Sequence, residues 1–407
     1  MTGTTKSRLS RTQLYAVLFI LLGLFLITFA RLRIDADGMS ILGFEKLGRQ
    51  KVPTRLTVTV LGASCALSAL IGFVCVRNAR TATVALVVSM ALAMVAILTA
   101  LAQGASIDLV GMLASSLRMC TPIALGAAAG ILCERAGVVN IAIEGMMLAA
   151  AAFGFGANLF FENIWVGVLA AVLVGGLMAG LHAVMSIRFK TDQIISGTAI
   201  NILAVGTSGF LRRAYLVNAY FVGQTLPIIR IPLLADIPVL GTLFFRSQPM
   251  VYTMMILVPL LYVVLFHTPW GLRTRAVGEH PRAADTVGIN VFKMRYVNVI
   301  VAGCIAGLAG AWFSLETVGS FEDMMTGGKG FIALAAMIFG NWNPIGAFLG
   351  ALLFGFADAL QIKLQILNVP LPYQFLGMAP YVATMIVVGG VIGRSTPPAA
   401  EGKAYEK

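Results

Sequence analysis

Glu134, Arg135, Asn140 and Glu144 lie within residues 130–145, together with three glycines and between two strongly apolar runs. In a soluble enzyme two carboxylates and an arginine so close together would suggest acid–base work. In an apolar setting they mean something else. Backbone that leaves the helix at membrane depth must be buried in protein or line a wet cavity, and ionisable residues there are costly and functional. Glu144 follows the polar break, with Asn140 one turn before it. A carboxylate at the start of a helix is favoured by the backbone dipole, so Glu144 either holds a broken element or meets a solute. Asn201 lies in an apolar run with Ser196, Thr198, Thr207 and Ser208, a stripe that faces a cavity or bonds a neighbouring helix. Asn341 sits in a second break, Gly340-Asn341-Trp342-Asn343-Pro344. These four polar residues are the candidates for a translocation pathway. Bond-making chemistry has no comparable candidates: GxSxG, HExxH and the phosphate-binding GxxxxGK[ST] are all missing. His182, His267 and His280 lie far apart, and the five cysteines form no CxxC, so no metal site is expected and the thiols read as small hydrophobes.

The elements that hold these residues must be membrane helices. Of 407 residues 59% are hydrophobic and 11% charged, against about 45–50% and about 25% in soluble domains. Apolar runs near the roughly 20-residue span length fall at about 14–30, 57–76, 82–102, 112–132, 139–156, 164–187, 193–211, 250–267, 296–316, 345–360 and 373–393, with a half-helix at 330–340. The fold class is therefore all-α and polytopic, with about 11–12 membrane segments including half-helices. Residues 1–30 have a basic start and an apolar run longer than a signal core, so they read as a retained first span. Three regions are expected: an extension with about three spans at 1–111, a core at 112–393, and a polar tail at 394–407. The breaks at 137–145 and 327–346 occupy different halves of the chain, as in inverted-repeat transporters.

The net charge of +12 resides in short loops, which fits membrane topology and anionic lipid better than nucleic acid. Placing the N-terminus inside puts 77–80, 188–190 and the polar loop 271–295 inside, as the positive-inside bias prefers. It leaves six basic residues of 31–55 outside, against that bias. Asp358 and Glu316, near span ends, are expected to be interfacial or snorkelling. In the 271–295 loop, Pro281 suits the first position of a short helix, with Glu279 or His280 near its cap and Gly288 at its end. Such a helix would lie on the membrane surface or fit a groove in a partner, the alternative being a plain connector.

Residues 134–147, Glu-Arg-Ala-Gly-Val-Val-Asn-Ile-Ala-Ile-Glu-Gly-Met-Met, resemble the signature of ABC-transporter permeases of the nucleoside and simple-sugar subgroup, within the branched-chain amino acid and ribose permease superfamily. Residues 192–201, 271–290 and 327–346 resemble further segments of that family, in the same order, and the likeness covers about 112–393. Residues before about 110 match poorly, and Asp192 stands where asparagine is commoner. The resemblance implies the permease subunit of an ATP-driven importer in the bacterial cytoplasmic membrane, working by alternating access and not itself an enzyme. It implies no cofactor in this chain, with ATP and Mg held by a cytoplasmic ABC ATPase. It also implies a second related permease subunit and an extracytoplasmic substrate-binding lipoprotein as partners. Gly278, Glu279, Pro281, Arg282, Ala283, Ala284, Asp285 and Gly288 would then form the coupling element seated on the ATPase. The rival reading from the residues alone is an ion-coupled secondary transporter of small polar solutes, with Glu144 as its titrating acid.

Overall fold

The computed structural model describes residues 11–35, 37–43, 49–76, 78–101, 103–104, 106–217, 225–366, 378 and 395–406. The expected span 373–393, apart from Met378, and the basic Lys6, Arg8 and Lys46 lie outside them. The chain forms two units, one of residues 1–113, 237–239 and 361–377, the other of 114–236, 240–360 and 378–407.

In the first unit α1 (Arg11–Arg33), α2 (Thr54–Val74) and α3 (Ala79–Leu101) pack on one another. Their seam is made of small residues such as Cys65, Ala69, Ala93 and Ala96, while Leu21, Phe25, Leu67 and Val84 are exposed. Small-in, large-out is what helices show when lipid is their solvent. The basic stretch 31–55 contains a hairpin: β1 (Met39–Gly43) pairs antiparallel with β2 (Arg49–Pro53) and parallel with β3 (Ser106–Asp108). The buried Ser40 hydroxyl bonds Thr54 Oγ1 at 2.6 Å and donates to the Thr99 carbonyl at 3.0 Å, pinning the sheet to α2 and α3. The β2 segment Arg-Gln-Lys-Val-Pro is poor in apolar residues, so its strand character was hidden. Pairing satisfies backbone groups that would otherwise need water.

The second unit carries the rest of α4 (Leu109–Glu134), then α5 (Ile143–Phe161), α6 (Ile164–Ala183), α7 (Gln193–Leu211), the short α8 (Leu240–Phe244) and α9 (Pro249–His267). α10 (Pro269–Glu279), α11 (Pro281–Thr286), α12 (Val291–Ala311), α13 (Lys329–Phe339) and α14 (Pro344–Ile366) follow. β4 (Ile229–Arg230) and β5 (Arg246–Ser247) pair antiparallel. Asn163, Asp192 and Asn290 start α6, α7 and α12 by accepting backbone N–H groups of the first turn, the usual work of a cap. α6, α7 and α12 each end in a π-helical turn, at Val184–Arg188, Arg212–Leu216 and Trp312–Val318. α6 and α12 cross closely through Ala171, Gly175, Gly303 and Gly307.

Among the described residues nine helices are long and apolar enough to cross a membrane. The shorter apolar pieces are Val84–Ala100 of α3 and all of α13. The apolar window of α4 is 89% buried against 28% for α7, so α4 is an inner helix and α7 an outer one. The protein is an all-α multi-pass membrane protein. The span expected from 139 starts only at Ile143, because residues 135–142 run outside the helix. Residues 269–279, whose arginines hide any apolar periodicity, form a helix rather than a connector: Thr268 Oγ1 accepts from Gly271 N at 3.2 Å and Pro269 takes the first position.

Candidate functional site

Two broken elements meet inside the second unit. α13 has 11 residues; at about 1.5 Å rise each it is about 16 Å long, half of a hydrocarbon core of about 30 Å. Its first N–H groups lack partners within the helix, as at any helix start. Glu144 supplies them. Its Oε1 accepts from Gly328 N at 2.9 Å and from Thr326 Oγ1 at 2.6 Å, and its Oε2 from Gly330 N at 2.6 Å. A charge-assisted acceptor at the positive end of a helix is the strong form of this bond. Glu144 therefore caps α13, the other break, rather than its own helix. The rest of the break at 135–142 is fastened with equal care. Asn140 is fully buried; its Oδ1 accepts from Ala142 N at 3.1 Å and its Nδ2 turns to Cys133 Sγ. Asn201 Oδ1 accepts from Gly145 N at 2.7 Å and its Nδ2 donates to Ile141 O at 3.1 Å. Gln193 Oε1 accepts from Val139 N at 2.7 Å. The buried His182 contacts Val139 O through Nε2 at 2.9 Å and Ser196 Oγ through Nδ1 at 3.1 Å. A carbonyl only accepts, so Nε2 carries the proton and Nδ1 accepts from the serine.

At the far end of α13 the chain turns through Asn341 and Trp342, both at positive φ. Here Glu134 and Arg135 grip it. Trp342 Nε1 donates to the buried Glu134 Oε2, while Arg135 Nε donates to Trp342 O at 3.1 Å and Nη2 to Asn341 O at 3.3 Å. Arg135 and Arg275 both lie over the Phe266 ring, 5.7 and 5.1 Å from its centroid. Burial lowers the Arg135 pKa, Glu279 opposes that shift, and Arg275 adds to it. Of the four pathway candidates, then, Asn140, Asn201 and Asn341 bond backbone. Asn341 Oδ1 accepts from Thr396 N at 3.0 Å, and Glu144 bonds backbone and Thr326. All four hold the breaks in place.

The coupling candidates sit at the same end. Gly278 closes on the corner so tightly that a Cβ there would run into the Arg135 carbonyl. Glu279 is exposed and its Oε2 accepts from Ala399 N at 3.1 Å. α11 begins at Pro281 after His280, and Gly288, with φ of +85°, follows its end. Arg282, Ala283, Thr286 and Val287 are exposed, Pro281 and Asp285 half-buried, and Ala284 buried with Val277, Val291 and Tyr405. The tail, residues 395–406, braces this element. Ala400 N donates to Gly278 O at 2.9 Å, and the buried Arg295 donates through Nη1 to Lys403 O at 3.0 Å. Lys190 pairs with Glu406 at 2.7 Å, holding the Glu406 carboxyl below the usual glutamate range. Glu401 lies against Glu134, and burial pushes its carboxyl up, the bond to Glu134 only partly offsetting this.

Asp358 and Glu316 do not snorkel out to solvent. Asp358 is buried and pairs with Lys329 at the first position of α13, and Glu316 is 1% exposed. An acid and a base both inside apolar runs are a legible signal, but their pairing across 29 residues is not. His182 also acts without any motif to mark it, and Gln193, though within the family-like segment 192–201, carries no sign that it bonds Val139.

Residues 112–392 match the family described as branched-chain amino acid transport system / permease component. The guanosine ABC transporter permease protein NupQ of Bacillus subtilis is 42% identical over 299 residues, 70% of this chain and 93% of that protein. The nucleoside ABC transporter permease protein NupC of Lactococcus lactis is 38% identical over 297 residues, 70% of this chain and 94% of that protein. A second guanosine ABC transporter permease protein of Bacillus subtilis, NupP, is 24% identical over 270 residues, 63% of this chain and 74% of that protein. No solved structure matches the chain. The chain belongs to this permease family: it is a multi-pass transport subunit of an ABC importer in the bacterial cytoplasmic membrane, working with an ATPase and a substrate-binding partner.

Proposed function

We propose that this permease carries nucleosides, together with a second related permease, and takes its power stroke from a cytoplasmic ATPase seated on α11. Residues 278–288 are the coupling element. ATP and Mg belong to the ATPase, and an extracytoplasmic lipoprotein delivers the solute. The observation that carries this reading is the direct seat of α10 on the corner that holds both breaks: Gly278 lies on Arg135, and Arg135 holds Asn341 and Trp342. A push on α11 reaches 135–142 and α13 through packed backbone, without passing along a flexible loop. Glu144, Asn140, Asn201 and Asn341 keep the two breaks in register as the path opens to one side and then the other. Two permease proteins in Bacillus subtilis bear the guanosine name, which supports a heterodimer, and the names of the similar proteins support a nucleoside solute.

Uptake of labelled nucleosides, ribose and galactose in cells lacking this gene tests the reading. Nucleoside uptake is expected to fall while both sugars enter normally. Unchanged nucleoside uptake, or loss of sugar uptake instead, overturns the substrate. The purified subunit alone is expected to bind no ATP in equilibrium dialysis, and tight binding overturns the division of labour.

A further inference from the structure

Glu316 has one oxygen with nothing to bond. Its Oε2 accepts from Met250 N at 2.7 Å, but Oε1 is buried with no partner. Burying an acceptor without a donor is costly, and native proteins seldom do so without a use. Glu316 lines a cavity of about 330 Å³ with Trp312, Arg118, Gln248 and Thr317, within the volume range of small-molecule sites, about 300–1,000 Å³. The Gln248 amide nitrogen is spent on two carbonyls, Glu316 O at 2.8 Å and Leu226 O at 3.2 Å, which leaves its oxygen as a second acceptor. Trp312 and Glu316, four residues apart, share one helix face, on the π-helical stretch Trp312–Val318, and π turns are frequent at functional sites. Arg118 lies 16 residues before the corner end of α4, about 24 Å at about 1.5 Å per residue. The cavity is therefore near the end of the unit opposite α11.

An indole wall, a carboxylate oxygen, an amide oxygen and a guanidinium together suit a flat heteroaromatic ring with an N–H donor edge. We infer that this cavity is a solute subsite on the extracytoplasmic side that takes the base of a purine nucleoside bearing a ring N–H, with Glu316 Oε1 accepting that proton's hydrogen bond and Trp312 packing on the ring. The inference rests on the nucleoside reading above. Glu316 and Trp312 are binding residues in this role, and the carboxylate's second oxygen anchors it to α9.

The test uses the assembled transporter in nanodiscs, with its partner permease and ATPase, and labelled guanosine. Glu316→Gln is expected to weaken guanosine binding at least about tenfold, the step that one lost specific bond of about 1.4 kcal/mol produces. Trp312→Phe, which leaves the Met250 bond untouched, is expected to weaken it several-fold. 1-Methylguanosine, lacking the ring N–H, is expected to bind the wild type weakly and to be no further weakened by Glu316→Gln. Membrane insertion and basal ATPase activity report folding; if Glu316→Gln fails there, Trp312→Phe and 1-methylguanosine on the wild type decide. Wild-type guanosine affinity in both variants, or equal binding of 1-methylguanosine and guanosine by the wild type, overturns the subsite. A wild-type transporter that moves no nucleoside overturns the nucleoside reading itself, a different result.

Discussion

Glu144 and Gly330 are in contact both through the carboxylate and through their backbones. Gly330 N donates to Glu144 Oε2 at 2.6 Å, and a Cβ on Gly330 would lie 2.6 Å from the Glu144 Cα. The first turn of α5 and the first turn of α13 are thus one joint, closed by a carboxylate and open only to a residue without a side chain.

Gly330→Ala is expected to force α13 off Glu144. Overpacking of this kind costs about 1–3 kcal/mol, and here it also lengthens three hydrogen bonds. Glu144→Gln keeps the shape but sets an amide against an N–H donor, a loss of about 1–3 kcal/mol. Both variants are expected to insert, melt at lower temperature in detergent, and lose most uptake. Full uptake by Gly330→Ala would show that the joint is not needed.

Gly278→Ala places a methyl group in the Arg135 carbonyl and is expected to lift α10 from the corner. ATPase stimulation by the solute-loaded binding partner should drop about tenfold or more, since about 1.4 kcal/mol is one decade, while the subunits still assemble. Glu279→Ala, which releases the tail N–H at Ala399 and removes the charge facing Arg135 but leaves the backbone seat intact, is expected to reduce stimulation less. Side-by-side ATPase and uptake assays check the order; normal coupling in Gly278→Ala would remove α10 from the transmission path.

The tail should respond to pH through Glu401. Its pKa is raised on folding, so the folded state holds a proton that the unfolded one has released. The tail's stability then falls as pH rises from the ordinary glutamate value, about 4.3, through the raised one, and the full penalty applies above it. The Lys190–Glu406 pair has the opposite sign, because Glu406 is lowered; its contribution is lost only in acid below the ordinary value and stays constant between about pH 5 and 8. Hydrogen exchange at residues 399–403 is expected to be slower at pH 5 than at pH 8 after correction for intrinsic rates. Glu401→Gln should reduce that difference, because Glu401 titrates together with the Glu134 carboxyl it faces, and an unchanged difference would place the titration elsewhere.

The residues show how far the chain could be read unaided. Span 193–211 was legible to the residue because Asp192 caps it and the apolar pattern begins at once. The break at 135–142 was legible because charge and glycine interrupt a run that otherwise has neither. What could not be read was pairing across distance. Glu144 looks like a cap for α5, and only the folded chain reveals that it caps α13, 186 residues on. Asp358 shows no partner in sequence until Lys329 is placed beside it. The strand β2 is masked by its arginine and lysine, and α10 by its arginines, since basic residues in membrane loops carry a topology signal that overlays the helical one. Glu316 reads in sequence only as an acid near a span end, and only the folded chain sets it against Met250 of α9 and Gln248.

Residues 395–406 leave the ribosome after every element they brace. Until Ala400 reaches Gly278 and Tyr405 fills the gap between Val277 and Ala284, α11 lacks its final support. On the proposed coupling, the seat for the ATPase is finished only once the membrane part upstream has been translated. A chain cut short before this point would keep its rods but lack the bonds that the tail makes to Gly278 and Arg295.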